Sequence, residues 1–107
     1  MTSRRDLLAA LVALAATPAM AREPTPFPGL DPAAVKRMGE AWRAAHPDIA
    51  LRKLEARLFP GGRGKAALPR LREQAAADFR RGAVFVYRGW RLSDTEGALF
   101  ALLSLEA

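Results

Sequence analysis

The chain of 107 residues contains no cysteine. Disulfide stapling, thiolate metal sites and thiol nucleophiles are therefore excluded. Histidine occurs once, at His46, so any metal site or nucleophile–histidine pair would need its other members brought in by the fold. Lysine is scarce, limited to Lys36, Lys53 and Lys65, and the formal net charge of +6 is carried almost wholly by arginine. No apolar stretch reaches the roughly 20 residues that a membrane-spanning helix requires. There is no internal repeat, dinucleotide fingerprint, haem motif or nucleophile elbow.

What is present begins at the N-terminus. Ser3-Arg4-Arg5-Asp6-Leu7-Leu8 opens an apolar run from Leu7 to Ala16. Pro18 follows, and then Ala19-Met20-Ala21. A positive start, a short apolar centre and an A-x-A site define an export signal. The paired Arg4 and Arg5 point to the twin-arginine route, which moves folded proteins. The segment resembles the Ser-Arg-Arg-x-Phe-Leu-Lys motif of such signals through Ser3, Arg4, Arg5 and Leu8. Leu7 replaces its Phe and Ala9 its Lys. Residues 1–21 are thus expected to be a signal cleaved after Ala21, and the mature protein is expected in the periplasm. Membrane contact is expected only through the signal during export. A general-secretion signal and an uncleaved cytosolic segment are the alternatives.

Residues 22–30 hold Pro24, Pro26, Pro28 and Gly29 and read as an extended linker. Residues 31–107 remain for one small domain, whose core is modest because so short a chain buries only about 60–65% of its unfolded surface. Asp31-Pro32 suits a helix start, and Val35, Met38, Trp42 and Ala45 form its apolar stripe, ending near His46-Pro47. Asp48 is positioned to cap a second short helix with a stripe of Leu51, Leu54 and Leu58. Phe59-Pro60-Gly61-Gly62 ends it. A third helix is predicted over 68–81, with Pro69 in its first turn and Leu71, Ala75 and Phe79 spaced by four. Gly82 suits its left-handed cap.

Ala83 to Tyr87 is β-branched and aromatic and reads as a strand. Arg88-Gly89 would turn it into a second strand, Trp90-Arg91-Leu92, that must lean on the helices. Ser93-Asp94-Thr95-Glu96 is a capping box for a final helix. Leu99, Phe100, Leu102, Leu103 and Leu105 make that helix apolar on most sides, as befits a central core helix or half of an interface. The expected fold class is mainly α: a small helical domain of about four helices in the mature chain, with a short β-hairpin before the last.

Few residues suggest chemistry. Gly61-Gly62-Arg63-Gly64-Lys65-Ala66 fails as a phosphate loop, because Phe59 stands where the first Gly belongs and Ala66 where Ser or Thr belongs. It reads as a flexible basic loop. His46 reads as a helix-end residue, where a cation is favoured. Glu40, Glu55, Glu73 and Asp78 read as solvated ion pairs with neighbouring arginines. No catalytic, cofactor-binding or metal-binding residue is assigned, and no cofactor is expected. Trp42 is expected in the core. Tyr87, Arg88, Trp90 and Phe100 form the candidate partner surface, since exposed aromatic-plus-arginine sites are common binding anchors.

Asp78-Phe79, Gly82, Val84 and then Gly89-Trp90-x-Leu92-Ser93-x-Thr95-Glu96 resemble a group of short proteobacterial proteins with twin-arginine signals. Arg88 departs from the acidic or small residue that pattern carries before its Gly-Trp. The resemblance implies export and brings no activity with it.

The leading functional expectation is an exported, non-enzymatic accessory protein. Its partner would be another protein, such as a signal-less enzyme subunit exported with it, and not nucleic acid. The alternatives are a stand-alone basic module for anionic envelope components, marked by salt-sensitive binding, and a small enzyme built on His46.

Overall fold

The computed structural model describes residues 4–16, 32–64 and 66–106, with side chains from Leu7 in the first stretch and Ala33 in the second. It contains α1 (Arg4–Ala16), α2 (Pro32–Ala45), α3 (Leu51–Leu58), α4 (Ala67–Arg80), β1 (Val84–Tyr87), β2 (Trp90–Ser93) and α5 (Asp94–Glu106). The mainly helical class with a hairpin before the last helix is as expected from the sequence. The Asp31 cap, the linker over 22–30 and the cleavage residues Ala19 and Ala21 lie outside the described residues, as do the side chains of Arg4 and Arg5.

The domain is arranged around α5. Every residue from Thr95 to Leu103 is buried, and the helix packs against α1, α2, α3, α4 and the hairpin. A helix apolar all round has to be enclosed on all sides, so of the two roles open to it from sequence α5 takes the core one. Phe100 is accordingly fully buried. This corrects its assignment to a partner surface: the folded domain encloses it.

The α2–α5 contact is set by two glycines. A Cβ on Gly97 would collide with Trp42 Cδ1, and one on Gly39 with the Phe100 carbonyl oxygen. With only hydrogens there, α2 comes close enough for the Trp42 indole to be wholly buried. Val35 and Met38 continue the buried stripe of α2 toward its N-terminus.

Helix α3 departs from the sequence reading at its start. Its N-cap is Ala50, extended and without a side-chain cap, and not Asp48. A turn closed by Ile49 N–H to the His46 carbonyl carries the chain past Asp48 first. Leu54 and Leu58 are buried, whereas Leu51 is 41% exposed and leaves the predicted stripe. Arg70 of α4 donates to the Leu58 carbonyl and satisfies one of the open acceptors at the end of α3. On α4 the buried line is Leu71, Ala75 and Asp78. Phe79 is only partly buried.

The hairpin pairs Val84 with Ser93, Phe85 with Leu92, Val86 with Arg91 and Tyr87 with Trp90. Arg88 and Gly89 have φ of 49° and 85°. Positive φ at both central residues matches the twist of a two-residue hairpin, and Arg88 is the one described non-glycine residue in that region. Phe85, Tyr87, Leu92 and Trp90 share the core-facing side by alternation, and Phe85 and Tyr87 stack with centroids 6.4 Å apart. Val86 points outward and is 62% exposed.

The N-terminal segment read as an export signal also packs into the domain. Residues 4–16 form a helix that packs against α4 and α5. Leu7, Leu8, Leu11, Val12 and Ala15 belong to the same buried cluster as Trp42 and Leu99.

Candidate functional site

Two places bring polar chemistry and packing together, one at each end of α5. The first is its N-terminus. Ser93 and Glu96 form the predicted capping box: Glu96 N–H donates to Ser93 Oγ at 3.1 Å, and Ser93 N–H donates to Glu96 Oε1 at 2.8 Å. Thr95 adds what the sequence reading missed. Its N–H and its hydroxyl both donate to Asp78 Oδ2, at 2.8 and 2.6 Å. Asp78 is 2% exposed and its other oxygen accepts from Arg81 at 2.6 Å. It is a buried carboxylate bolting α4 to the positive end of α5, which corrects the reading of Asp78 as part of a solvated pair. The signal available in the sequence was Asp78 at the position three after Ala75, on the buried side of α4.

Asp94 stands beside it. Trp42 Nε1 donates to its Oδ1 at 3.0 Å, and Arg57 to its Oδ2 at 2.6 Å. Partial burial pushes the Asp94 carboxyl up, but the Arg57 and Trp42 hydrogen bonds and the charges of Arg57 and His46 outweigh it and hold it below its ordinary value. His46 lies one turn after Trp42, so the two rings stack, 3.8 Å apart and 14° from parallel. Its Nδ1 meets the Trp42 carbonyl at 2.9 Å and its Nε2 faces Asp94 at 3.7 Å. Both ring nitrogens are turned to protein atoms. The imidazole is thereby placed as a lid on Trp42.

A cleft of about 230 Å³ opens next to this cluster, lined by Arg57, Gln74, Ala77, Asp78, Arg81 and Thr95. Its two arginines pair with Asp94 and Asp78, so the charges at its walls are balanced locally. Among the described residues no three His, Cys, Asp or Glu side chains converge as metal ligands would.

The second place is the opposite end of α5. Arg63, from the loop predicted to be flexible, turns inward and is 21% exposed. It donates to the carbonyl of Ala15 at 2.8 Å, to Glu55 of α3 at 2.5 and 3.1 Å, and to Glu106 of α5 at 3.0 Å. Burial lowers the Arg63 pKa, but the two carboxylates raise it by more, so the guanidinium remains charged. One planar group thus fastens the middle of α3 to the C-terminal ends of α1 and α5. Arg63 is thus tied to three elements of the domain, which the composition of its loop does not suggest.

Of the candidate partner surface, Tyr87, Arg88 and Trp90 sit together at the hairpin turn: Tyr87 pairs with Trp90, both partly buried against the core, and Arg88 is exposed with its guanidinium 5.4 Å from the Tyr87 ring centroid, whereas Phe100 is buried. The seat that holds α1 on α4 and α5 was not foreseen. The signal for it was the spacing of Leu7, Leu8, Leu11, Val12 and Ala15, steps of one and three that make a single helical face.

No helix among the described residues is long and apolar enough to cross a membrane. Comparison with protein-family models, with curated proteins and with solved structures finds no match.

Proposed function

We propose that this protein is an exported, non-enzymatic interaction protein that accompanies a folded partner through the twin-arginine route. The observation that carries the reading is the packing of the apolar N-terminal helix as an element of the domain. Five of its side chains are buried and its Ala15 carbonyl is held by Arg63. A segment used only as an address needs no matched seat on the protein it addresses. A seat of this kind fits a protein whose signal and domain act together.

Two further features support it. Arg4-Arg5, the apolar run and Ala19-Met20-Ala21 follow the order of a cleavable signal. His46 stacks on Trp42 and its Nδ1 is held at the Trp42 carbonyl, so its packing has a structural account.

The test is export in the native host of the variant carrying Arg4→Lys and Arg5→Lys. The expected result is retention of the protein in the cytoplasm together with one stoichiometric partner. Unchanged export of the variant, or a deletion strain with an unaltered exported proteome, overturns the reading.

A further inference from the structure

We infer that the hairpin tip, residues 86–91, is a docking site for an anionic membrane surface, with the Arg88 guanidinium on the phosphates of lipid headgroups and Tyr87, Trp90 and Val86 settled among them. The inference stands apart from the proposed function, since it requires neither the export route nor a protein partner.

The charge at this place has one sign. Residues 79–93 hold Arg80, Arg81, Arg88 and Arg91 and no aspartate or glutamate. Arg81 is tied to Asp78. Arg88 and Arg91 are exposed on the hairpin itself. Such a patch is complementary to a surface of fixed negative charge, and a net charge of +6 draws the whole chain the same way.

The tip also holds unused donors. Among the described residues no hydrogen bond or ion pair engages the Arg88 guanidinium, the Tyr87 hydroxyl or the Trp90 indole N–H. Tyr87 faces Trp90 across the ladder, and the Arg88 guanidinium lies 5.4 Å from the Tyr87 ring centroid, so three planar groups share one spot. A guanidinium matches the oxygens of a phosphate in pairs. Tyr and Trp rings, apolar in the body and polar at one end, settle at headgroup depth. Val86 pairs with Arg91, points outward and is 62% exposed, which adds an apolar side chain to the same tip.

The backbone gives an independent sign. Arg88 holds a φ of 49°, a conformation in which a Cβ is crowded and which Asn, Asp or Gly takes more readily in such a turn. A residue placed against its backbone preference, with its side chain in solvent, points to a use for that side chain. Size decides between occupants. A stable protein interface takes about 20–30 residues a side, whereas the tip is the short run 86–91. A lipid headgroup needs only a few donors, and a membrane presents many headgroups in one plane.

The test uses the full-length protein with vesicles of phosphatidylcholine alone and vesicles of equal parts phosphatidylcholine and phosphatidylglycerol. The protein is expected to float with the anionic vesicles only, and less of it as salt rises. Trp42 is wholly buried, so a shift of emission to shorter wavelength on binding reports Trp90, and Trp90→Phe is expected to abolish the shift. Arg88→Asn keeps a residue suited to the turn. It is expected to weaken vesicle binding roughly fivefold, the weight of one arginine at an anionic surface, without lowering the urea midpoint. Arg88→Glu, which reverses the charge, is expected to weaken it roughly 25-fold. Arg52 is an exposed arginine on α3, and Arg52→Gln is expected to weaken binding far less.

Equal binding to both vesicles overturns the inference. A loss in Arg52→Gln as large as that in Arg88→Asn also overturns it, because the attraction is then one of net charge alone. Bound protein with unshifted Trp90 emission places the contact elsewhere on the chain, with the same consequence. A soluble tetraglutamate peptide that shifts Trp90 emission in the wild type and not in Arg88→Asn assigns the tip to an acidic protein segment in place of lipid. A lowered urea midpoint in Arg88→Asn, together with unchanged vesicle binding in Arg88→Glu, makes Arg88 a residue of the turn and ends its role at the headgroups.

Discussion

The two ends of α5 are held by different kinds of interaction. At its N-terminus Asp78, Ser93, Thr95 and Glu96 are all buried and all hydrogen-bonded to one another in fixed pairs. A buried polar group without its partner costs its full desolvation, so this cluster accepts one arrangement and rejects the rest. Toward its C-terminus α5 is covered by α1, which brings five apolar side chains and one carbonyl to Arg63. Burial of that kind stabilises without specifying. The polar end fixes how α5 sits on α4 and the hairpin. The apolar cover is held by contact area and by one main-chain acceptor.

The most severe way to break this contrast is at Asp78. Asp78→Ala leaves the Thr95 N–H and hydroxyl without their acceptor in a buried place, and strands Arg81. The expected loss is about 4 kcal/mol in urea unfolding, the size found when one member of a buried charged network is removed. Asp78→Asn keeps an acceptor for Thr95 and is expected to recover about half of that. A loss below about 1 kcal/mol for the alanine variant, the level of an exposed pair, returns Asp78 to the class of surface charges.

Gly97→Ala comes next. The new methyl collides with the Trp42 indole, and overpacking of a closed core costs about 1–3 kcal/mol. Trp42 has to shift, which breaks its bond to Asp94. In a Trp90→Phe background the remaining tryptophan fluorescence should move to longer wavelength. An unshifted spectrum would show that α2 can slide away from α5 at no cost to this contact.

Leu11→Ala sharpens the comparison from the other side. Leu11 is fully buried, and such a truncation costs about 2–5 kcal/mol in a rigid core. Here the loss is expected to appear as local opening. Hydrogen exchange of α1 should accelerate while the main urea transition of the rest of the domain moves by less than about 1 kcal/mol, because cooperative units open separately. A full-sized shift of the main transition makes α1 an integral core helix and ends the distinction between the two ends.

Much of the polar end is legible in the sequence. The capping box announced itself as Ser93 followed by Glu96, and the Arg88-Gly89 turn by its position between two short apolar runs. These are local signals, set by neighbours in the chain. The burial of Asp78 was not legible, because Thr95 lies 17 residues away on another helix, and an aspartate beside Arg81 looks the same whether solvated or buried. Arg63 was masked by the glycines around it, which suggest freedom; its order comes from Glu55 and Glu106, eight and 43 residues distant. Phe100 and Leu51 were misplaced for one reason. Periodicity shows that a face is apolar, and tertiary packing decides which apolar faces are covered. The seat for α1 was hidden because a run read as an export signal is also a helix with one continuous apolar face.

The mildest test concerns Asp94, which links the buried cluster to solvent. Its carboxyl is held below the ordinary value of 3.8, chiefly by Arg57 and Trp42 acting against the opposing effect of burial. A carboxyl with a lowered pKa in the folded state favours folding at any pH above its unfolded value, and that contribution drains away as pH falls through the folded value. Stability should therefore be level from neutral pH down to about 4 as far as Asp94 is concerned, and decline below it. Other carboxylates titrate in the same window, so the informative quantity is a difference between proteins. Arg57→Gln removes the strongest lowering contact. It should lower stability at pH 6 and lose less than the wild type between pH 6 and pH 3, so that the two urea midpoints converge in acid. Parallel curves would mean that Arg57 contributes packing over Trp42, where its guanidinium lies 6.0 Å from the ring centroid, and no charge-dependent stabilisation. In that event the Asp94 end of the polar cluster would resemble the α1 seat, a contact kept by shape, and the contrast between the two ends of α5 would narrow to Asp78 and the capping box.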